Sequence, residues 1–511
     1  MKILTSFLGL LFYLLGISTG VAEATNKILL IPLDDRPPCL QFPVKMAQID
    51  GIELVTPPKA LLGRFMRYGE PDEIIKWIER QNLTDFDAAI ISLDMLAYGG
   101  LVASRVFATP LELAKRRISI VGKLRALAPH LRIYGSSVIM RLAPTADGAN
   151  DSYRTKLAKW AEISPNPSHR QQTLALEKAI PVQVLEDYKN ARLRNLIINQ
   201  LAVEYAKSKV FDYLIISQDD AKPSGIHLAD RDALVKMVAE ANLANRVAIQ
   251  PGADEVSMLL LARSVSDRYA YHPRVFAYYG SEKSAQTVMP FEDRTLRKTV
   301  SFHLKAVGAL EVFTKEEADI VFFVFSDRLE GNRSMSYAHE ISEFHQRQSG
   351  IGLILADIDP IGNVQGGDQV LTECLNEMKI FKNLYGYASW NTAGNAIGTA
   401  LPQGIVYGAA LKRNTQPEEM KRSATAQGWF ILNRLMDDYL YHAKIRPEAL
   451  QFIKAKGWNS LLLNTQQTID VEHYCLERIN AFSAHFYGFN PKEVSFYLPW
   501  SRTFEAEISF E

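Results

Sequence analysis

Short apolar runs alternate with longer amphipathic stretches between Lys27 and about Leu411. Runs such as ILLIP, YLIIS and VFFVF are apolar at every position, whereas a strand with one exposed face would alternate. Continuous runs are typical of strands buried on both faces of a mainly parallel sheet, with helices covering those faces. The runs predict strands at Ile28–Pro32, Glu53–Thr56, Ala88–Leu93, Arg132–Ile139, Tyr213–Ser217, Val247–Gln250, Arg274–Tyr279, Ile320–Phe325, Leu353–Ala356, Tyr385–Ser389 and Ile405–Ala409.

Amphipathic stretches between these strands predict helices at Pro71–Arg80, Leu111–Ala128 and Pro181–Ser208. The alternation predicts an α/β fold, with either a mainly parallel sheet or a TIM-barrel-like core. The predicted strands outnumber the eight of a barrel. Either some of them belong to a second small α/β unit, or some are false predictions.

The pattern changes after about Arg413, where apolar residues recur at helical spacing. Helices are predicted at Gln416–Ala443, Pro447–Ala455 and Thr465–Phe486, followed by an aromatic, strand-like tail at Val494–Phe510. We therefore predict an α/β catalytic-type domain at 25–412, as one unit or as two subdomains. A helical C-terminal region with a strand-like tail is predicted at 413–511.

The N-terminal segment 1–24 has the features of a signal peptide. Lys2 supplies a positive start, Ile3–Gly20 is mostly apolar, and Val21–Ala24 offers a small-x-small cleavage site. The alternative is a membrane anchor, which the polar and small residues within the apolar run disfavour. Cleavage after Ala24 predicts a periplasmic or secreted protein that is not stably inserted in a membrane.

Composition excludes several classes of function. Lys plus Arg equals Asp plus Glu at 57 each, so the chain lacks the basic surplus that binding to nucleic acid requires. The cysteines are too sparse for a disulfide framework, and the histidines form no zinc-binding cluster. Motifs for nucleotide phosphates and for a serine nucleophile are missing. We therefore predict no cofactor and no metal, and chemistry carried by carboxylates, amides and hydroxyls.

Polar residues follow most of the predicted strands, at the ends where parallel α/β folds bind their ligands. If the strands share one sheet, these side chains converge on one acidic rim, which implies a polyhydroxylated ligand or a cation. Any single aspartate has an ordinary alternative as a helix cap or turn residue. The candidate substrate-binding residues are Asp34, Asp35, Arg36, Asp94, Arg105, Lys222, Asp254, Glu255, Asp357, Asp359, Asp368, Trp390, Asn391 and Asn395.

Three strand ends carry sharper hypotheses. Asp219 and Asp220 are adjacent, and their repulsion favours an acid beside an anion, although Asp220 has an alternative role as a helix cap. Trp390, flanked by amides, has the composition of a sugar platform, with burial at a helix start as its alternative. Arg36 either pairs structurally with its acidic neighbours or belongs to the site.

Seven motifs stand out along the chain: IPLDDRP, SLDMLAYGGLVASR, ISQDDAKPSGIH, GADE, ADIDPIGNVQGGD, SWNTAGNAIGTAL and LPWSRTFE. Together they resemble one bacterial family, the domain of unknown function numbered 4127. The motifs span nearly the whole mature chain and occur in the order of that family. The resemblance implies no assigned activity.

Two segments resemble a second family. FDYLIISQDD at 211–220 is similar to the catalytic strand of O-GlcNAcase-type β-N-acetylglucosaminidases, and residues 367–391 resemble their closing helix and final strand. Those enzymes are barrels. The resemblance implies that Asp219 orients and polarises an acetamido group and that Asp220 is the general acid/base. The chain departs from the family at Ala388 and Ser389, where the aspartate before the tryptophan is missing.

These observations lead to one expected function and two rivals. We expect an exported glycoside hydrolase that acts on an amino-sugar-containing glycan through the catalytic carboxylates of Asp219 and Asp220. One rival is a non-enzymatic periplasmic protein that binds a glycan or another solute. The other is a divalent-metal-dependent hydrolase with oxygen ligands from Asp34, Asp35, Asp94, Asp219 and Asp357.

Overall fold

A computed structural model describes residues 26–148, 150–348, 350–363, 366–483, 485–486 and 488–511. The predicted signal peptide at 1–24 lies outside these residues. The chain forms two open sheets in which all paired strands are parallel. The first contains β1 Lys27–Ile31, β2 Glu53–Val55, β3 Ala88–Ser92, β4 Arg132–Ile139, β5 Tyr213–Gln218 and β6 Val247–Pro251. The second contains β7 Arg274–Tyr279, β8 Leu310–Val312, β9 Ile320–Phe325, β10 Gly352–Asp357 and β11 Gly386–Ala388.

The two sheets repeat the same strand order. The first runs β2-β1-β3-β4-β5-β6 and the second runs β8-β7-β9-β10-β11. In the first sheet, β2 lies at the edge beside β1, and β3 lies on the other side of β1. In the second sheet, β8, β7 and β9 are arranged in the same way. This is a doubly wound order, in which ligands bind at the carboxyl ends of the strands, close to where the order reverses.

The described strands confirm an α/β fold with parallel sheets, but they form two open sheets and no barrel. Most predicted strands lie within a residue or two of their observed positions. The strand predicted at Ile405–Ala409 is wrong, because this segment lies inside a helix that is buried on nearly every side. A helix buried all round loses the amphipathic period that distinguishes it from a buried strand. The short edge strand β8 was not predicted.

In the described part of the chain, nineteen α-helices surround and separate the sheets. They are α1 Gln41–Ala47, α2 Pro71–Glu79, α3 Leu93–Tyr98, α4 Leu101–Ser104, α5 Leu111–Ile118, α6 Ile120–Leu127, α7 Arg154–Ile163, α8 Arg170–Ala179, α9 Val182–Lys207, α10 His227–Glu240, α11 Val256–Tyr269, α12 Glu282–Gln286, α13 Leu296–Ala306, α14 Arg333–Arg347, α15 Gln369–Glu377, α16 Ala393–Arg413, α17 Pro417–Arg434, α18 Arg446–Ala455 and α19 Thr465–Ser483. A π-helix at Leu435–Ile445 joins α17 to α18.

One hydrophobic core runs between the two sheets. Helix α11 packs on the first sheet, α16 packs on the second, and the two helices pack on each other. Ile90 and Ile215 of the first sheet belong to the same buried cluster as Phe322 and Ile354 of the second. Because burial of apolar surface is the main favourable contribution to folding, this shared core joins the two halves firmly.

The C-terminal region packs against the outer face of the second sheet. Ile431 and Leu435 share a buried cluster with Val321 and Leu353 of that sheet. Beyond α19, the tail forms a short antiparallel pair, β12 Ser495–Tyr497 and β13 Glu507–Ser509. Within the described residues, no helix combines the length and the apolar character that crossing a membrane requires.

Candidate functional site

A cavity of about 360 Å³ opens at the carboxyl edge of the first sheet, facing the second half of the molecule. Its volume lies in the range typical of small-molecule sites. It is lined by Arg36, Leu101, Val102, Arg105, Arg141, Thr145, Ala146, Arg154, Asp219, Asp220, Asp254, Phe291, Asn391, Leu461, Trp500, Arg502 and Phe504.

Loops that follow the strands of the first sheet build one wall of this cavity. Arg36 follows β1, Arg141 follows β4, Asp219 and Asp220 follow β5, and Asp254 follows β6. The backbone N–H of Asp219 still donates to the carbonyl of Ile139 at 3.3 Å, which extends the β4–β5 pairing to the cavity. The wall therefore stands directly on the sheet, a rigid support for the side chains.

Two glycines allow a further arginine to reach the cavity. Gly99 (φ 93°) and Gly100 (φ 111°) have left-handed backbones between α3 and α4, where side chains are disfavoured. A Cβ on Gly99 would lie 2.6 Å from the carbonyl oxygen of Gly69. The two glycines separate α3 from α4, and Arg105, directly after α4, lines the cavity.

Arg36 is the centre of a buried network of charges. Its guanidinium donates to Asp34 at 2.6 Å and to Asp254 at 2.6 Å, and lies 3.7 Å from Glu505 in the C-terminal tail. The guanidinium also stacks over the ring of Trp500, 4.6 Å from its centroid. Three distant segments of the chain therefore meet at one cation.

Two further ion pairs line the cavity. Arg105 donates to Asp219 at 2.6 Å and to the hydroxyl of Thr145 at 2.8 Å. Arg141 donates to Asp220. Although burial alone would raise it, the pKa of Asp219 is lowered, because the guanidiniums of Arg105 and Arg141 favour its ionised form. Asp219 is therefore an anion at neutral pH.

Asp254 and Asp35 differ from Asp219 in their electrostatic surroundings. Burial raises the pKa of Asp254 to about 7, with Arg36 opposing the shift and Asp34 adding to it. Burial and the charge of Asp34 likewise raise the pKa of Asp35 to about 6. One guanidinium serves several carboxyl groups here, so a proton is retained on one of them more readily.

Three residues in the cavity wall have strained backbones. Asp220 (φ 41°), Phe291 (φ 64°) and Asn391 (φ 57°) adopt the left-handed conformation that side chains disfavour. Such strain is held only where the surrounding structure requires it, and it is concentrated at functional sites. Their positions in the cavity wall favour a functional reading of this cavity.

A hydrogen-bonded chain of predicted residues supports Asn391 from behind. The amide of Asn391 donates to Asn395 at 2.7 Å, and the amide of Asn395 donates to Glu255 at 2.7 Å. Glu255 follows β6 of the first sheet, whereas both asparagines follow β11 of the second. This chain fixes the two halves relative to each other beside the cavity.

The C-terminal tail closes one side of the cavity with aromatic rings. The indole N–H of Trp500 donates to Asp35 at 2.6 Å, and Arg502 lies over the rings of Trp500 and Phe504. Trp500 and Phe504 present apolar surface next to the arginines and aspartates of the opposite wall. An apolar face beside hydrogen-bonding groups suits a ring that carries hydroxyls.

The prediction that these residues form an acidic rim is wrong. Of the predicted residues, Arg36, Arg105, Asp219, Asp220, Asp254 and Asn391 line the cavity together. The lining contains five arginines and three aspartates, so the wall is not acidic. Three of those arginines pair with the aspartates, which neutralises the carboxylates that the sequence suggested.

Asp94 and Lys222 lie away from the cavity. Asp94 is buried in the first turn of α3 and accepts the N–H of Val138 in β4 at 2.9 Å. Burial raises its pKa to about 7. Lys222 is half-exposed and pairs with Glu162 at 3.2 Å. Each side chain binds a neighbouring group of the protein, as polar residues after strands commonly do.

The predicted aspartates of the second sheet also lie elsewhere. Asp357 pairs with Arg328 at 2.8 Å, and Asp368 caps α15 by accepting the N–H of Leu371 at 2.8 Å. Asp359 accepts the N–H of Ile361 at 2.9 Å in a turn. For Asp359 and Asp368, turn and cap are the alternatives that the sequence left open.

Trp390 is a core residue and does not form the predicted sugar platform. It is buried, packs edge-on against Phe42 and donates its indole N–H to Thr399 at 3.0 Å. It borders a much smaller cavity of about 20 Å³ beside the main one. The aromatic surface of the main cavity comes from Phe291, Trp500 and Phe504 instead.

Sequence reasoning missed the arginines and aromatics that complete the cavity. Arg141 follows a predicted strand, as the aspartates do, so its position was the available signal. Arg502 and Trp500 lie in the LPWSRTFE motif, which sequence analysis singled out without giving it a role. Arg154 begins α7 and carries no local signal of a site.

One group of residues is close enough to hold a metal within the described part of the chain: Asp34, Cys39 and Asp254. Arg36 already donates to both carboxylates and supplies the charge that a cation would provide. Burial, with the charge of Asp34, raises the pKa of Cys39, whereas metal ligation requires the thiolate. The donor set therefore does not fit a metal ion, and the carboxylates of the metal hypothesis are dispersed.

Comparison with known families gives one match. A family model described as a protein of unknown function, DUF4127, matches residues 28–509, which include all of both sheets except Lys27 and every residue of the cavity wall. Comparison with curated proteins gives no match, and comparison with solved structures gives none either. The match covers nearly the whole chain, and the chain therefore belongs to the DUF4127 family.

Proposed function

We propose that the protein is a glycoside hydrolase whose reacting groups are the carboxylates of Asp219 and Asp254. The observation that carries the proposal is the presence of both carboxylates in one cavity in contrasting surroundings. Asp219 faces two guanidiniums, whereas Asp254 shares Arg36 with Asp34. Glycosidases need such a pair, one carboxyl group protonated and the other ionised.

The proposed roles follow from these surroundings. Asp254 donates its proton to the glycosidic oxygen as the bond to the anomeric carbon breaks, and Arg36 stabilises the resulting carboxylate. Ionised Asp219 faces the sugar and stabilises the positive charge that develops on it, before water completes the hydrolysis. This assignment replaces Asp220 as the acid, because Asp220 has Arg141 as a partner of its own.

The cavity walls suit a sugar in other respects. Phe291, Trp500 and Phe504 offer apolar surface for the faces of a ring, and Asn391 offers an amide for its hydroxyls. The amino sugar remains our proposed substrate component on the resemblance to β-N-acetylglucosaminidases. We also propose that the protein is exported, which the segment 1–24 supports. N-terminal sequencing of the natively produced protein tests this, and a sequence that begins at Met1 would contradict it.

The test is a screen of the purified protein against aryl glycosides and cell-wall glycans, followed by two variants. Asp254→Asn removes the proton donor, so hydrolysis of natural glycans should fall about a hundred- to ten-thousand-fold. Aryl glycosides with good leaving groups need little protonation and should be partly rescued. Asp219→Asn should slow both kinds of substrate, because its charge is needed for either.

Asp50→Asn is a matched control. Asp50 is a buried carboxylate paired with Arg413 at 2.6 Å, before β2 and hence at the opposite end of the first sheet. Its substitution should change the melting temperature without changing the preference between the two kinds of substrate. Equal, small losses of activity in all three variants would refute the assigned roles.

A second candidate is a sugar-binding protein without catalysis. It is favoured by the ion pairs, since each aspartate in the cavity wall already has an arginine partner. It is disfavoured by the shared core, which opposes the opening and closing of two lobes around a ligand. Tight binding of a glycan without turnover would support this candidate, and loss of activity on chelation would support the metal-dependent rival.

A further inference from the structure

The arginines of the cavity have donor groups that the protein does not use. A guanidinium carries five N–H donors. In Arg105, the buried Nε has no hydrogen-bond partner, although the terminal nitrogens bind Thr145 and Asp219. Unpaired buried donors are unfavourable, and this one marks a guanidinium whose donors outnumber the acceptors that the protein supplies beside the cavity.

Arg154 adds a positive charge at the same wall. Its Nε donates to the carbonyl of Pro144 at 3.0 Å, and Arg141 donates to the same carbonyl at 3.4 Å. Among the described residues, Arg154 forms no ion pair with a carboxylate. Arg154 is only partly buried, whereas the side chain of Arg105 is 7% exposed. The three arginines therefore span from the exposed part of the wall to its buried part.

The three arginines of this wall differ in their carboxylate partners. Arg105 and Arg141 form ion pairs with Asp219 and Asp220, whereas Arg154 interacts with Asp151, Asp220 and Asp147 only at longer range. Each guanidinium also disfavours its neighbour, since burial and the charge of Arg141 lower the pKa of both Arg105 and Arg154. Crowded cations in a cleft that is partly shielded from water are stabilised by an anionic ligand.

We infer that the substrate carries an oxyanion, a carboxylate, a sulfate or a phosphate ester on the sugar, which Arg154 and Arg141 bind beside the reacting carboxylates. That the bound sugar is a substrate rests on the proposed function. The binding of an anionic sugar can be tested without it. Guanidinium pairs well with all three oxyanions because its parallel N–H groups match two acceptor oxygens.

Calorimetric titration tests this inference with defined probes. The probes are glucuronic acid, N-acetylglucosamine 6-sulfate and N-acetylglucosamine 6-phosphate, with glucose and N-acetylglucosamine as the neutral counterparts. The anionic sugars should bind at least tenfold more tightly than the neutral ones, and their affinity should fall with salt. The rank of the three anions identifies which oxyanion the site prefers.

Arg154→Gln supplies the decisive comparison. Because Arg154 is partly exposed and donates its hydrogen bond to a single carbonyl, that of Pro144, the variant should keep its melting temperature. It should lose about tenfold in affinity for the anionic sugars and leave the neutral sugars unchanged. Arg274→Gln is the matched control, because Arg274 pairs with Asp319 on the exposed surface at the start of β7. It should change neither the affinity for anionic sugars nor the affinity for neutral ones.

Three outcomes would overturn the inference: equal affinity for charged and neutral sugars, equal losses for both in Arg154→Gln, or no binding of any anionic probe. These outcomes are distinguishable from failure of the proposed function. Efficient hydrolysis of neutral glycosides without a preference for anionic ones would reject the inference alone. Charge-dependent binding of sugars without hydrolysis of any glycoside would reject the hydrolase alone.

Discussion

The two sheets share a strand order, and their carboxyl edges differ in what covers them. At the first edge, the loops part around a cavity of about 360 Å³. At the second edge, the π-helix Leu435–Ile445 lies across the strand ends, where Asp438 accepts the backbone N–H of Ser389 at 2.6 Å. An aspartate after a strand therefore lines the cavity only where the edge remains uncovered.

The ion pairs of the two edges differ in the same way. Asp438 and its partner Arg434 have fully buried side chains, 2.7 Å apart. Asp220 is 34% exposed at the first edge, where its partner Arg141 faces the cavity. A pair with access to water can exchange its partner for a ligand, whereas a fully buried pair is part of the core.

The largest expected effect compares these two aspartates by substitution. Asp438→Ala removes a partner from a buried arginine and leaves Ser389 N–H unsatisfied, so the free energy of unfolding should fall by about 3–5 kcal/mol. Asp220→Ala removes a partly exposed partner and should lower it by about 1 kcal/mol or less. Denaturant titration at pH 7 measures both. Similar losses in the two variants would mean that the edges do not differ as described.

A smaller effect is expected from the tail that closes the first edge. Trp500→Phe keeps an aromatic ring beside Arg36 but removes the N–H that Asp35 accepts at 2.6 Å. Because Asp35 is buried, the free energy of unfolding should fall by about 1–3 kcal/mol, and the tail should become more sensitive to protease.

Trp429→Phe is the control, because that indole donates to the backbone carbonyl of Phe510 away from the cavity. Its effect on sugar binding should be negligible, whereas Trp500→Phe should weaken sugar binding as well as lower stability. If both tryptophan variants bind sugars like the unmodified protein, the tail is not part of the site.

The smallest effect concerns pH and Asp94, which lies behind the first edge. Burial raises its pKa from 3.8 to about 7, so the folded protein holds this proton to higher pH than the unfolded chain. The resulting stabilisation is complete below about pH 4 and is lost as the pH rises to about 7. Asp94→Asn keeps an oxygen for Val138 N–H and cannot ionise.

The melting temperature of the unmodified protein should therefore fall between pH 5 and pH 8 by a few degrees more than that of Asp94→Asn. Parallel curves for the two proteins would show that Asp94 titrates normally. Asp219 does not interfere, because its pKa is lowered and its contribution is lost only in more acidic solution.

The parallel sheets were predictable because their strands are buried on both faces. A short, fully apolar run such as Ile320–Phe325 is typical of a central strand in a parallel sheet, and the observed strand has the predicted bounds. The same rule failed at α16, where Ile405–Ala409 is apolar because a helix between two sheets is also buried all round. The pattern of apolar residues along the sequence indicates that a segment is buried. Burial alone does not distinguish a central strand from a helix that is buried on all sides.

The site was only partly predictable, for a different reason. Asp219 and Asp254 were found because they follow strands, and that position follows from local sequence. Their ion-pair partners Arg105 and Arg36 were also among the predicted residues, whereas Arg141, Arg154 and Arg502, which make arginines outnumber aspartates in the lining, were not. No local pattern connects Trp500 with Asp35, which lie 465 residues apart and meet only through tertiary packing. The charge of a cleft is a property of contacts of this kind.

The contacts of Arg36 have a consequence for how the protein is made. Its partners Asp254 and Glu505 leave the ribosome long after it does, and Glu505 emerges long after Asp254. At ordinary rates of synthesis, 5–20 residues per second, about 10–50 s separate the emergence of Asp254 from that of Glu505. During that interval the first sheet can form with its cavity still open on the side that the tail covers. The tail side of the cavity is therefore completed only after Trp500 and Glu505 have been synthesised, well after the residues of the first sheet.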